Sequence, residues 1–195
     1  MDKVYFATSS PGKVKRLREA IPPGIEIIHL NIELPEPRTL DLKEIAEAKV
    51  RFAYNLVKEP VVALDSGFFV NSLNGFPATF VNFALETVGT EGILRLAEGK
   101  ARECEFRNCL AFYDGLDIKF FESTQKGVLS ETPRGERKPH NIWHSGLHRI
   151  FVPESYTRTL AEMNEREFSE FRAQRKSESF SYKFAKWIAS YNFKK

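Results

Sequence analysis

The sequence predicts a mixed α/β fold, and three observations carry that prediction. Short apolar runs at residues 3–8 and 60–65, the second reading Pro60-Val61-Val62-Ala63-Leu64-Asp65, have the length and composition of buried strands. Between them, Leu42, Ile45, Ala46, Lys49, Val50 and Ala53 recur at helical spacing across residues 41–57. Further along, Asp114-Gly115 is flanked by strand-like residues 101–113 and 116–123, the pattern of a tight hairpin.

The elements follow in order. The strand at 3–8 is broken by Pro11-Gly12, after which residues 13–20 read as a helix closed by Pro22-Pro23-Gly24. A second strand covers 25–32, and Pro35-Glu36-Pro37 marks a loop before the 41–57 helix. The strand at 60–65 ends on Asp65 and turns at Ser66-Gly67. Asn74-Gly75-Phe76-Pro77 is a turn, and 81–88 and 91–98 are two short helices separated by Gly89. Residues 132–144 form a polar loop, and 168–191 a closing amphipathic helix whose Phe168, Phe171, Phe180, Phe184 and Trp187 read as core, with a partner surface as the alternative.

Composition bounds the function. With 195 residues, 42% of them hydrophobic and 17 of them Phe, the chain is long and apolar enough to bury a core as a single domain, residues 1–195, of one or two lobes. A net charge of +3 argues against duplex nucleic acid as a partner and is compatible with a small anionic ligand. No apolar run reaches the roughly 20 residues that span a bilayer, and Met1-Asp2-Lys3 lacks a signal-peptide pattern, so no membrane role and a cytoplasmic location are expected. Cys104 and Cys109 lie five residues apart in a strand-like stretch, face opposite sides and are expected as reduced thiols.

Two constellations carry chemistry. Thr8-Ser9-Ser10-Pro11-Gly12-Lys13 lies between a strand and a helix, offering backbone N–H groups, hydroxyls and an ammonium suited to polyphosphate. It lacks the two-glycine spacing of a P-loop, and by itself such a turn is more often an ordinary helix cap. Asp65 at the end of an apolar strand is placed to hold a divalent cation or activate water, or else to cap its own turn. His140, His144 and His148 share the four-residue spacing of helical metal ligands, but Pro139 and Gly146 interrupt such a helix.

These segments, together with Pro133-Arg134-Gly135 and Thr159-Leu160-Ala161-Glu162-Met163, resemble the inosine triphosphate pyrophosphatase (HAM1-like) family over nearly the whole chain. The resemblance implies an elongated mixed sheet with helices, in two lobes around a nucleotide cleft, and commonly a homodimer. It implies phosphate binding by Thr8, Ser9, Ser10, Lys13 and Lys49, and a magnesium site at Glu44 and Asp65, with Asp65 the catalytic acid if turnover persists. The chain also departs from the family pattern. Leu64 stands where a second acid is usual, and Ser10 and Arg16 replace an Asn and a Glu of the first turn. In the base loop, which here reads His144-Ser145-Gly146-Leu147-His148-Arg149, Ser145 replaces the stacking aromatic and His148 an Asp, leaving Trp143 or His148 as substitute stacks. Of the family's later lysine and Ser-His-Arg, an ungapped count finds Phe168 and Arg172-Ala173-Gln174, and a shift of one residue puts Arg175 in the arginine's place.

Two functions are consistent with this pattern. One is a purine nucleoside triphosphate sensor or regulatory subunit, for inosine or deoxyinosine triphosphate, that hydrolyses its ligand slowly or not at all. Subunits similar to the family act in antiphage operons beside an NAD-consuming effector. The other is a magnesium-dependent pyrophosphatase that releases a nucleoside monophosphate and pyrophosphate.

Overall fold

The structure, a computed structural model, describes residues 2–136 and 146–193. Its sheet has the strand order β2-β1-β3-β5-β6-β7, with β4 paired to β3. The chain divides into two compact units, Met1–Ser66 with Asn108–Ser123 and Lys176–Lys195, and Gly67–Arg107 with Thr124–Arg175.

In the first unit, β1 (Asp2–Ala7) pairs in parallel with β2 (Ile25–Leu30) on one side and β3 (Val61–Val70) on the other, so that Ala7 lies opposite both Leu30 and Ala63. Two right-sized crossovers make this possible: α1 (Pro11–Ala20) joins β1 to β2 and α2 (Leu42–Val57) joins β2 to β3. Helix α2 starts where the Asp41 side chain accepts the Lys43 N–H at 2.8 Å, and it stops where Lys58 turns left-handed at φ 56°. It buries the six residues whose spacing predicted it: Leu42, Ile45, Ala46, Lys49, Val50 and Ala53. Five of them are apolar, and Lys49 is the exception that the site must explain.

Strand β3 runs ten residues, to Val70, so Asp65 stands in mid-strand and not at a strand end followed by a turn. Phe68, Phe69 and Val70 are strong strand formers that carry the extended chain past Ser66-Gly67. Gly67 is needed there, because an added Cβ would lie 2.7 Å from the Ala78 carbonyl oxygen and 2.7 Å from the Phe69 ring.

The long strands β5 (Glu103–Tyr113) and β6 (Ile118–Leu129) flank the Asp114-Gly115 turn. This turn is longer than a two-residue hairpin because Asp114 Oδ1 accepts the N–H groups of Leu116 and Asp117, each at 2.9 Å. The expected closing helix is two helices, α5 (Glu165–Gln174) and α6 (Phe180–Ile188). Lys176-Ser177-Glu178 forms a short 3₁₀ turn, and the Ser179 hydroxyl caps α6 by accepting the Tyr182 N–H at 3.2 Å, so the aromatic period is interrupted by a start signal. Helix α6 packs Phe184 and Ile188 with Val4, Phe6, Leu17, Val62, Leu64, Leu110, Phe112 and Phe121 in the core of the first unit.

The second unit contains β4 (Pro77–Ala78), α3 (Val81–Thr87), α4 (Gly89–Leu96), β7 (Phe151–Pro153) and α5. Its core stacks Phe106 on Phe68 and Phe151, with ring centroids 4.7 and 4.9 Å away. The Pro-Arg-Gly and Thr-Leu-Ala-Glu-Met motifs meet here. The Thr159 hydroxyl donates to the Arg134 carbonyl at 3.1 Å, and Gly135, at φ +80°, leaves only 2.4 Å between a hypothetical Cβ and the Ala161 carbonyl carbon. Both cysteines are buried and unpaired, as expected. Among the described residues no helix is long and apolar enough to cross a membrane.

The chain's C-terminal segment is tied to the hairpin by Tyr191, whose hydroxyl donates to Asp114 Oδ2 at 2.6 Å. Burial opposes ionisation of Asp114, but the hydrogen bonds from Tyr191 and from backbone N–H groups win and hold its pKa below the ordinary carboxylate value. A depressed folded-state pKa contributes stability above the unfolded value that is lost as pH falls through the folded one. Tyr191→Phe is therefore expected to cost about 1–2 kcal/mol at neutral pH. In urea titrations the difference from the parent should shrink below about pH 4. An unchanged difference at low pH would contradict the charged hydrogen bond.

Candidate functional site

Strand β1 sends its first crossover to β2 on one side and the chain returns to β3 on its other side, so the β1–β3 boundary is a topological switch point. In open α/β sheets the carboxyl ends of strands at such a point border a crevice with no crossover over it. Thr8 follows the last residue of β1, and Asp65 lies two residues beyond Ala63, the β3 partner of Ala7. The same crevice receives the amino terminus of α1.

The turn is built for exposed N–H groups. Thr8 Oγ1 accepts the Ser10 N–H at 3.1 Å, and the Thr8 carbonyl meets His29 Nε2 at 2.8 Å. Ser10 occupies the N-cap without a side-chain capping bond and Pro11 opens the helix, so the first turn carries no competing acid. A helix start with no resident carboxylate favours an external anion. Ser9 is exposed, Ser10 half-buried and Thr8 buried.

Lys49 is 5% exposed, and its ammonium donates to Asp65 Oδ1 at 2.6 Å and to Glu36 Oε1 at 2.9 Å. Burial works against its charge, but the two carboxylates outweigh burial and raise its pKa. Asp65 is raised above its ordinary value because burial outweighs the attraction of Lys49 and Lys13. Lys13 is half-buried on α1, and its pKa is lowered first by burial and then by repulsion from Lys49. Thr8, Lys13, Lys49 and Asp65, predicted from separate elements, thus converge in the first unit.

Glu44 is exposed on the first turn of α2. The two carboxylates that meet on Lys49 are Asp65 and Glu36, a residue that spacing and periodicity did not single out. Its only sequence signal is Pro35 and Pro37 on either side, which hold the loop extended and leave Glu36 a fixed direction. Among the described residues no three His, Cys, Asp or Glu side chains gather as a ready metal site. Two convergent carboxylates still fit magnesium, which takes one or two protein carboxylates and completes its shell from water and phosphate. The donor set therefore fits a cation that arrives with a polyphosphate.

Leu64 points the other way. It is 6% exposed and belongs to the apolar core with Phe121 and Phe184, on the strand face opposite Asp65. Of the residues expected at the base, Trp143 and Ser145 lie outside the described residues, as do His140 and His144. His148 is 4% exposed in a 3₁₀ turn, Gly146–Arg149, with its ring edge-on to Phe106 at 6.2 Å; it is core-packed and does not offer an open stacking face. Arg175 caps the end of α5 and donates to the Thr124 carbonyl at 3.2 Å. Both belong to the second unit.

An α/β crossover unit with an anion-seeking helix start, two ammonium groups and two carboxylates at its switch point defines a nucleotide-binding class of protein. The chain belongs to the Ham1 family, whose model matches residues 4–178. It is 37% identical to a dITP/XTP pyrophosphatase of Saccharolobus solfataricus over 98% of this chain and 96% of that one. It is 35% identical to the dITP/XTP pyrophosphatase of Thermococcus kodakarensis over 85% and 87% of the two chains. Its fold matches a HAM1 protein from Coxiella burnetii with a TM-score of 0.79 at 18% identity, covering 98% of this chain and 100% of the other. It also matches a nucleoside-triphosphatase / dITP/XTP pyrophosphatase from Mycobacterium abscessus, with a TM-score of 0.74 at 23% identity and coverage of 90% and 96%.

The position of Leu64 yields a direct expectation. Leu64→Glu places a carboxylate in the apolar core of the first unit and should cost about 3 kcal/mol or more in denaturant unfolding. A stable variant with magnesium-dependent pyrophosphate release above that of the parent would show that residue 64 reaches the chemistry after all.

Proposed function

We propose that this protein binds the triphosphate of a deaminated purine nucleotide, of the inosine or xanthosine type, and turns it over slowly as a sensor or regulatory subunit. The observation that carries the reading is the pair of ammonium groups, Lys13 and Lys49, beside an acid-free helix start. Lys13 is held where burial and Lys49 both disfavour its charge, an arrangement that a polyanion relieves. The dITP/XTP pyrophosphatases that the chain resembles supply the ligand class. Slow turnover follows from the acids: Asp65 is engaged by Lys49 and Leu64 is directed into the core. A second copy of the chain or an effector, of the NAD-consuming kind or another, would read the bound state in the cytoplasm.

A second reading, a working pyrophosphatase, is favoured by 37% identity across almost the whole length of a relative that carries that name. In that case the triphosphate takes over the Lys49 ammonium and frees Asp65 to accept a proton from the attacking water. Lys13 and Lys49 then balance the charge gathering on the departing pyrophosphate. Bound magnesium would be held by Glu36 and Asp65 and would polarise the phosphoryl oxygens.

Calorimetry with inosine, xanthosine, adenosine and guanosine triphosphates, with product analysis of the same mixtures, separates the readings. Saturable binding with the triphosphate recovered intact supports the sensor. Turnover at about 1–10³ per second, ordinary for enzymes, establishes the second reading.

Charge-assisted contacts to phosphate are worth about 1.5–3 kcal/mol. Lys13→Ala should therefore weaken triphosphate binding by about 10- to 100-fold and reduce its salt dependence. In the parent, affinity should fall as pH rises through the lowered pKa of Lys13, because the ammonium is charged below it and neutral above. Unchanged affinity in Lys13→Ala, with binding abolished by Trp143→Ala or His148→Ala, would move recognition to the base loop.

A further inference from the structure

The face of the sheet that carries the first unit's core has an apolar residue on each of three neighbouring strands: Leu64 on β3, Leu110 on β5 and Phe121 on β6. One same-face step away on each strand, at spacing two, the residues are Ser66, Asn108 and Ser123. They form a polar rung. The Ser66 hydroxyl donates to Asn108 Oδ1 at 2.8 Å, and Asn108 Nδ2 donates to Ser123 Oγ at 3.4 Å. Asn108 is 7% exposed. With Asn108 buried and both serines half-buried, such a rung adds little net stability over apolar side chains, and its hydrogen bonds act chiefly to fix geometry.

The geometry it fixes is next to the site. Asp65 lies between Leu64, anchored in the core, and Ser66, anchored on Asn108, and its carboxylate leaves the opposite face of the strand to reach Lys49 at 2.6 Å. With both neighbours held, the strand cannot rotate about its axis to carry the carboxylate away from the ammonium. We propose that Asn108, acting through Ser66, is a positioning residue for Asp65. The idea rests on the reading of Asp65 as part of the polyphosphate site, but its first test needs no nucleotide.

The test compares the parent, the double variant Ser66→Ala/Asn108→Leu, which leaves no buried polar partner orphaned on β3 or β5, and Ser66→Thr, which keeps the hydroxyl. Carboxylate ¹³C and lysine ¹⁵Nζ NMR of the ligand-free proteins at one fixed neutral pH reports the Asp65–Lys49 hydrogen bond and, as an internal reference, the Tyr191–Asp114 one. In the double variant the Asp65–Lys49 hydrogen-bond signature should weaken, the Tyr191–Asp114 one should hold, and Ser66→Thr should match the parent. Calorimetry with deoxyinosine triphosphate and magnesium should show about a tenfold loss in the double variant alone, equal to ~1.4 kcal/mol.

An Asp65–Lys49 signature that stays put, or that changes together with the Tyr191–Asp114 one, overturns the proposal, the second because it signals general loosening. If the Asp65–Lys49 signature alone weakens and neither parent nor variant binds the triphosphate, the positioning role stands and the nucleotide reading falls.

Discussion

A buried ammonium must have anions, and the rest of the site is arranged around that requirement of Lys49. Removing a charge of that size from water costs several kcal/mol unless partners sit at hydrogen-bond distance. Asp65 and Glu36 provide them at 2.6 and 2.9 Å. Each partner in turn depends on a different part of the chain: Asp65 on the extension of β3 past Gly67, and Glu36 on a loop stiffened by Pro35 and Pro37. A cluster with such a desolvation cost contributes little as a stability device compared with an apolar side chain of similar volume on α2. Its value lies in what it can exchange. On the proposed reading, a polyphosphate would offer Lys49 and Lys13 the negative charge that the carboxylates now offer, and would release the carboxylates for a cation.

Much of the first unit was legible because its physics is periodic and local. Helix α2 buries the residues whose spacing announced it, Lys49 among them. The turn between β1 and α1 was legible because Thr8, Ser10 and Pro11 act within a few residues of one another. What spacing missed depends on distant contacts. Asp65 looked like a strand end because Ser66-Gly67 resembles a turn, and only the approach of Ala78 to Gly67 shows why a glycine belongs inside the strand. Glu36 gains meaning only when β2, α2 and β3 bring its loop to Lys49. The aromatic tail suggested one helix because Phe and Trp recur across it, yet the Ser179 cap divides it.

The motifs that survive without obvious chemistry have a packing explanation. Pro133-Arg134-Gly135 and Thr159-Leu160-Ala161-Glu162-Met163 lock to one another through Thr159 and the close approach of Gly135 to Ala161. Glu162 accepts the Thr159 N–H at 2.7 Å, closing the same turn. These residues hold the second unit's backbone. The chain matches its family over residues 4–178, which include both motifs.

The central claim is that the Glu36–Lys49–Asp65 cluster with Lys13 is a polyphosphate site in its ligand-free state. The most direct measurement is NMR of the lysine side chains, with inorganic tripolyphosphate and inosine added separately. The account predicts that tripolyphosphate alone shifts the Lys13 and Lys49 resonances saturably, raises the Lys13 pKa, and leaves the other lysines nearly unmoved, while inosine does little. Lysine resonances that ignore tripolyphosphate but respond to inosine would contradict it.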